Sequence, residues 1–143
     1  ILYYMKTTKI AVLCLLSCIL SACLKQSEEY ITLVNKSGRD IVFQTENEKY
    51  FTNTDVPFQC QGIVFTILKD SLFLLHSVDD TGWEADFNFR PCMIFLLMDK
   101  ENYHQYRNEP CDTIRKYVPI LHRYRVSLED MEQMNWTVVY PPE

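Results

Sequence analysis

The sequence predicts a mainly β protein, a single small antiparallel β-sandwich with one short C-terminal helix. Three observations point that way. Short β-branched and aromatic runs recur across residues 31–143, separated by Asn, Asp, Gly and Pro clusters. One run, Trp83–Arg90, alternates apolar and polar side chains without a break. Helical spacing is confined to one stretch after Ser127.

Taken in order, Ile31–Val34 and Ile41–Phe43 flank Asn35-Lys36-Ser37-Gly38-Arg39-Asp40 and read as a β-hairpin. Residues 45–60 are polar and irregular, a loop with at most a short edge strand. Ile63–Leu68 and Leu72–His76 read as two strands joined tightly around Lys69-Asp70. The turn Asp79-Asp80-Thr81-Gly82 follows, with Gly82 free to take positive φ. In the alternating run, Trp83, Ala85, Phe87 and Phe89 face a core, while Glu84, Asp86, Asn88 and Arg90 face water. Met93–Met98 carries no polar residue and reads as a central strand covered on both faces. Asp99–Asn108 is charged and Tyr-rich, a loop or a single helical turn. Thr113–Tyr117 and Ile120–Val126 are expected strands interrupted by Pro119. Ser127 then caps a short helix, with Glu129 and Asp130 where the helix dipole favours negative charge and Leu128, Met131 and Met134 on one face. Trp136–Tyr140 closes the chain as a strand stopped by Pro141-Pro142. The sum is seven to nine strands, the pattern of an Ig-like or similar sandwich.

The segment ahead of the sandwich is of another kind. The first methionine is Met5, so residues 1–4 read as upstream sequence and residues 5–22 as a leader. Lys6 and Lys9 precede Ile10–Leu20, an uncharged apolar run of 11 residues. A membrane-spanning helix needs about 20 such residues, whereas a signal-peptide core has this length. Leu20-Ser21-Ala22-Cys23 ends the run with an aliphatic residue, two small ones and a thiol. This resembles the lipobox of bacterial lipoproteins. The resemblance implies cleavage before Cys23 and two or three acyl chains on it, enough for a stable anchor where one chain holds only marginally. Residues 23–30 then form a lipidated tether and residues 31–143 the domain.

Further along, Cys111-Asp-Thr-Ile-Arg-Lys-Tyr117, Ile120-Leu-His-Arg-Tyr124, Ser127-Leu-Glu-Asp130, Asn135-Trp-Thr137 and Tyr140-Pro141 together resemble the C-terminal signature of small Bacteroidetes lipoproteins of an uncharacterised family. That resemblance implies address and fold, and no chemistry. Leu24 is not the aspartate that retains lipoproteins at the inner membrane, which favours the outer one. Ser27-Glu28-Glu29 is similar to an acidic surface-export signal, which favours surface exposure, with the periplasmic face as the alternative.

Loss of Lys6 and Lys9 leaves 12 of the 14 basic residues against all 19 acidic ones, a net charge of −7. That argues against nucleic acid and anionic headgroups as partners, since both select basic patches. Of six cysteines, Cys14 and Cys18 leave with the leader and Cys23 is acylated, so Cys60, Cys92 and Cys111 remain in an oxidising compartment. Cys92 and Cys111 each follow a proline, which favours extended backbone. A Cys92–Cys111 disulfide is preferred, with three buried thiols as the alternative.

Candidate chemistry is sparse. Asp79, Asp80, Glu84 and Asp86 put oxygen ligands around one turn, as a Ca²⁺ site would, but in no EF-hand spacing, and a solvated turn accounts for them. His76, His104 and His122 lack metal-ligand spacing, and His122, alternating with Tyr124, reads as structural. Tyr103 and Tyr106, in a polar stretch, are candidates for an aromatic platform that binds a glycan; Trp83 and Trp136 belong to the core. Asp70-Ser71-Leu72 and Asp112-Thr113-Ile114 resemble Bacteroidetes O-glycosylation acceptors. No nucleophile elbow, phosphate loop or zinc ribbon is present, and no cofactor is expected. The expectation is a non-enzymatic binding or scaffolding module of the cell envelope, its partners the bilayer, through Cys23, and an envelope protein or glycan. The alternatives are a small metal-dependent envelope hydrolase built on Asp79, Asp80 and Asp86 with a histidine, and an inhibitor or immunity-type lipoprotein.

Overall fold

The computed structural model describes residues 27–47, 58–78 and 81–142. The leader, Cys23, Asp79, Asp80 and most of the polar stretch 45–60 lie outside these. Among the described residues, seven strands and four short helices follow one another: β1 (Tyr30–Asn35), β2 (Ile41–Asn47), β3 (Val64–Ile67), β4 (Leu72–His76), α1 (Trp83–Phe89), β5 (Met93–Asp99), α2 (Lys100–Tyr106), α3 (Cys111–Tyr117), β6 (Ile120–Val126), α4 (Leu128–Gln133) and β7 (Thr137–Tyr140). The strands form two sheets. Sheet I has the order β4-β1-β7 and sheet II the order β3-β2-β5-β6. Sheet II is antiparallel throughout, whereas β7 lies parallel to β1.

The fold is therefore mainly β and sandwich-like, as expected, with four short helices where one was predicted. Its main core lies between the sheets. Ile31, Leu33 and Val138 point inward from sheet I, and Phe43, Phe95 and Leu97 from sheet II, all nearly inaccessible to solvent. Phe43 stacks on Phe65 and meets Phe73 edge-on across the gap. Met93–Met98 is buried along its whole length, as an unbroken apolar run requires. Behind sheet II, Phe58, Ile114 and Val118 close over Val42 and Met98, so α2, α3 and the Phe58 loop make a third layer.

The expected β1–β2 hairpin does not form. β1 pairs with β4 and β7, and β2 with β3 and β5, so the segment 36–40 crosses from one sheet to the other. Asn35 makes the crossing possible. Fully buried, it donates from Nδ2 to the carbonyls of Arg39 (2.7 Å) and Leu68 (3.0 Å), and its Oδ1 accepts from Ser37 N–H (3.0 Å). Main-chain groups that a hairpin ladder would satisfy are satisfied instead by one side-chain amide. The Lys69-Asp70 connection crosses between the sheets too, from β3 to β4.

Trp83–Phe89 is a helix, not the alternating strand predicted. Trp83 and Phe87 are both buried, and a spacing of four fits either periodicity. The discriminating position is Phe89, which alternation sends to the core and which is 80% exposed. Gly82, at φ 79°, starts the helix, and Glu84 and Asp86 place negative charge in its first turn. Thr113–Tyr117 is likewise helical, within α3. Pro110 precedes it, Asp112 lies in its first turn and Arg115 and Lys116 in its last, so proline punctuation and charge order favour a helix. α4 has the predicted cap: Ser127 Oγ accepts from Asp130 N–H, and Asp130 accepts from Ser127 N–H in return.

The disulfide joins Cys60 to Cys111, correcting the expected Cys92–Cys111 pair. The expectation required Cys111 to sit in an extended segment; it opens α3 in the third layer instead. Cys92, at the entrance to central strand β5, is a buried thiol. Gln44 sets the position of the Cys60 loop, donating to Gln59 C=O (2.8 Å) and accepting from Gln59 N–H (2.9 Å). Gly62 completes this contact, because a Cβ there would overlap the Gln44 amide. Tyr124, from the edge of sheet II, donates its hydroxyl to Val139 C=O at the edge of sheet I (2.5 Å), bolting that side of the sandwich.

Candidate binding surfaces

Three connections converge at one end of the sandwich: the β1–β2 crossing, the β3–β4 turn and the junction of β5 with α2. They enclose a cleft of about 590 Å³ in which Arg39, Lys69, Lys100 and His104 meet Asp40, Asp99 and Glu101. Asp40 is the hub. Its carboxylate accepts from Lys100 Nζ and from Lys69 N–H, both at 2.9 Å. The Lys100 hydrogen bond, then that of Lys69, holds the Asp40 carboxyl below its ordinary range. Asp99 accepts from Asn102 N–H (2.9 Å), capping α2, and faces Arg39 at 3.7 Å. The cleft carries charges of both signs at short range, which suits recognition of a polar, charged partner by exchange of ion pairs.

A second concavity, of about 250 Å³, opens on the third layer, with Arg115 and Arg123 over Phe58, Val118 and Ile120. Arg115 Nε donates to Phe58 C=O (3.1 Å), which orients its guanidinium. Two cationic forks above an apolar floor fit a small acidic group on a hydrophobic stem.

The third surface is the outer face of sheet I. β1 presents Tyr30, Thr32 and Val34 outward, and β4 presents Leu72, Leu74 and His76 beside them. β7 adds Thr137 and Val139. None of these positions is Asp, Glu, Lys or Arg, and Leu72 and Leu74 remain 57% and 52% exposed. At the far end of this face a shallow concavity of about 540 Å³ is lined by Val34 and Leu72 together with Asn35, Lys36, Asp70 and Ser71, where the charged connections begin.

The residues singled out from sequence are not gathered at one place. Tyr103 and Tyr106 belong to α2, not to a loop, and both are half-buried. Tyr103 meets Phe58 edge-on (5.9 Å) and Tyr106 stacks on Tyr117 (5.0 Å). Their rings thus hold the third layer in place, and Tyr117 is the more exposed ring of the stacked pair. Asp79 and Asp80 lie outside the described residues. Asp86 is half-buried on α1, with Oδ2 buried and without a hydrogen-bond partner. Among the described residues, no three His, Cys, Asp or Glu side chains are grouped to hold a metal. His122 packs on Tyr124 (4.3 Å) in β6, His76 Nδ1 lies 2.7 Å from Ser77 C=O, and His104 stands at the rim of the charged cleft. Ser71 Oγ bonds to Leu68 C=O (2.8 Å), and Thr113 lies in the first turn of α3.

Sequence reasoning passed over Arg39, Asp40, Lys69 and Lys100 because each is a charged residue in or beside a turn, the ordinary composition of solvated connections. Only the crossing topology brings the three connections together. No protein-family model matches this chain, and no curated protein or solved structure matches it. No helix among the described residues is long and apolar enough to cross a membrane.

Proposed function

We propose that this chain is an exported lipoprotein, cut and acylated at Cys23, that serves as a non-enzymatic binding or scaffolding module of a bacterial cell envelope. The observation that carries the reading is the order Lys6, Lys9, the apolar run Ile10–Leu20 and then Leu20-Ser21-Ala22-Cys23, with residues of the folded domain described from Ser27 on. The resemblance of the C-terminal segments to small Bacteroidetes lipoproteins supports the same address. Leu24 favours the outer membrane, and the exposed Glu28 and Glu29 side chains favour its outer surface. The mixed-charge cleft around Asp40 and the Arg115–Arg123 pocket support a polar partner, an envelope protein or an acidic glycan.

The test is covalent. Cells fed an alkynyl fatty acid should incorporate it into this protein, and mass spectrometry should find the acyl chains on Cys23 as the first residue. Cys23→Ala should abolish the label. A mature chain that begins elsewhere, or carries no lipid, overturns the reading. Protease shaving of intact cells against a lysed control then assigns the face: loss of the protein from intact cells means surface exposure, protection means the periplasmic side.

A further inference from the structure

We infer that the uncharged outer face of sheet I rests on the bilayer that holds the protein's own acyl chains, so that the domain lies on its side with the α2–α3 layer turned away. This rests on the acylation of Cys23 proposed above, and two observations extend it.

The first is the shortness of the tether. Cys23 and Ser27 are four residues apart, a span of at most about 14 Å for fully extended chain. From Ser27 on there is no slack. Its Oγ bonds to Thr81 C=O (3.0 Å) and to the Glu84 carboxylate (2.5 Å), which also accepts from Glu28 N–H (2.9 Å). Trp83 N–H donates to Glu28 C=O (2.8 Å) and Ser77 N–H to Glu29 C=O (3.0 Å). Gly82 permits this seat, since a Cβ there would overlap Ser27. A domain of this size has a radius of gyration of about 13 Å, comparable to the whole tether. The tether therefore holds the domain close enough for one of its faces to meet the headgroups.

The second observation is which surface lies at the root. Tyr30 begins β1 three residues after Ser27 and pairs edge-on with His76 (4.9 Å), and Val78, 81% exposed, follows the Ser77 that Glu29 holds. From there Thr32, Val34, Leu74 and Leu72 continue the face for about 13 Å along the strands. In a mature chain of net charge −7, a face whose outward positions hold no Asp, Glu, Lys or Arg, and His76 as its one basic side chain, suits contact with zwitterionic lipid, where an apolar surface settles at the boundary of headgroups and acyl chains. Tyrosine at the rim, apolar at one end and polar at the other, fits that boundary. Both polar concavities receive residues from α2 or α3, so this orientation leaves them open to a partner.

The experiment uses the acylated full-length mature protein in phosphatidylcholine vesicles. Cys60 and Cys111 are bridged, Cys92 is buried and Cys23 is acylated, so Leu74→Cys introduces the one reactive thiol for a polarity-sensitive fluorophore. Asp112→Cys, on α3, is the control, and Val78→Cys repeats the measurement should Leu74→Cys fold poorly. The label at 74 should shift to the blue and lose at least about half its emission to lipids nitroxide-labelled on the acyl chain, with the label at 112 unchanged. Equal, unquenched emission at 74, 78 and 112 from protein that still floats with the vesicles overturns the orientation and leaves the anchor standing. Protection at 74 that rises with protein density and is insensitive to the nitroxide assigns the face to a second copy and overturns the bilayer. Absence of acylation and flotation takes down the anchor itself, and this inference with it.

Discussion

The two outer faces of the sandwich solve the same problem in opposite ways. Behind sheet II, Val42, Ile94, Leu96 and Met98 are at most 2% exposed, with Phe58, Ile114 and Val118 over Val42 and Met98 and Ile120 against Ile94 and Leu96. Behind sheet I, Leu72 and Leu74 occupy the matching outward positions and are more than half exposed. A covered face permits the unbroken apolar run of β5. A bare face keeps the alternation of β1 and β4, yet here its outward residues are still apolar. An apolar outward residue is therefore no evidence of cover within the chain; it marks cover from within in one sheet and a surface left for something else in the other.

The contrast breaks most readily by truncation. Leu96→Ala leaves a cavity in sheet II and should cost about 2–5 kcal/mol, while Leu74→Ala removes atoms already half in water and should cost less than about 1 kcal/mol. Urea unfolding of the two variants measures both. Similar losses at the two sites would mean that sheet I's outer face is covered in solution after all.

The covered face is also the stapled one. Cys60 and Cys111 close a loop of 51 residues and tie the Phe58 loop to α3. Chain-entropy reasoning gives such a loop about 4 kcal/mol, and measured bridges typically give about 2–4. Cys60→Ser and Cys111→Ser should therefore lose equal stability within that range, and non-reducing peptide mapping should recover the 60–111 pair. Cys92→Ala should cost about 1 kcal/mol, the scale of an ordinary core substitution. A Cys92 variant that loses as much as the Cys111 variant would restore the pairing expected from sequence and detach the third layer from its staple.

How far these features could be read from the residues follows the same division. β5 was legible because burial on both faces leaves one signature, an apolar run of strand length. α4 was legible because Ser127 and Asp130 form a local capping box that needs no tertiary partner. α1 was misread because its buried residues, Trp83 and Phe87, are four apart, a spacing common to both periods, and Ala85 is too small to arbitrate. α3 was misread because Ile114 is its only buried residue and supplies no period at all. The crossing at Asn35 was not legible, since Asn-Lys-Ser-Gly looks the same whether it returns a strand to its neighbour or hands it to another sheet. The charged cleft depends on that crossing, so it was hidden with it.

A smaller effect tests the helix that carries the chain from sheet II back to sheet I. Ser127→Ala should cost about 1 kcal/mol, the usual worth of an N-cap side chain. The Ser127 backbone N–H, and after it the hydroxyl, holds the Asp130 carboxyl below its ordinary 3.8. A lowered folded pKa gives stability that is present above the unfolded value and lost as the pH falls through the folded one. Acid titration of wild type should show that loss below about pH 4, and Ser127→Ala, which removes the hydroxyl and keeps the backbone N–H, should reduce it in part. An unchanged acid limb would place the cap's contribution elsewhere.

The smallest effect lies where the two compared sheets are bolted together. Burial, and after it the neighbouring Tyr140, pushes the Tyr124 hydroxyl up to about 12 from its ordinary 10.0. The folded protein thus keeps a proton that the unfolded chain has released between these values. Stability contributed by the protonated hydroxyl is complete below pH 10 and is lost as the pH rises towards 12. Unfolding of the wild type should therefore show a falling stability across that window. Tyr124→Phe should flatten the slope, because it has no proton to lose, while giving up the hydrogen bond to Val139 at neutral pH, a loss of about 1 kcal/mol. Absorbance titration of the folded protein should show a late tyrosine step towards about 12 in the wild type, and that step should vanish in the variant. If the slope persists without Tyr124, the edges of sheets I and II are not joined through this hydroxyl, and the two faces are coupled only through the core between them.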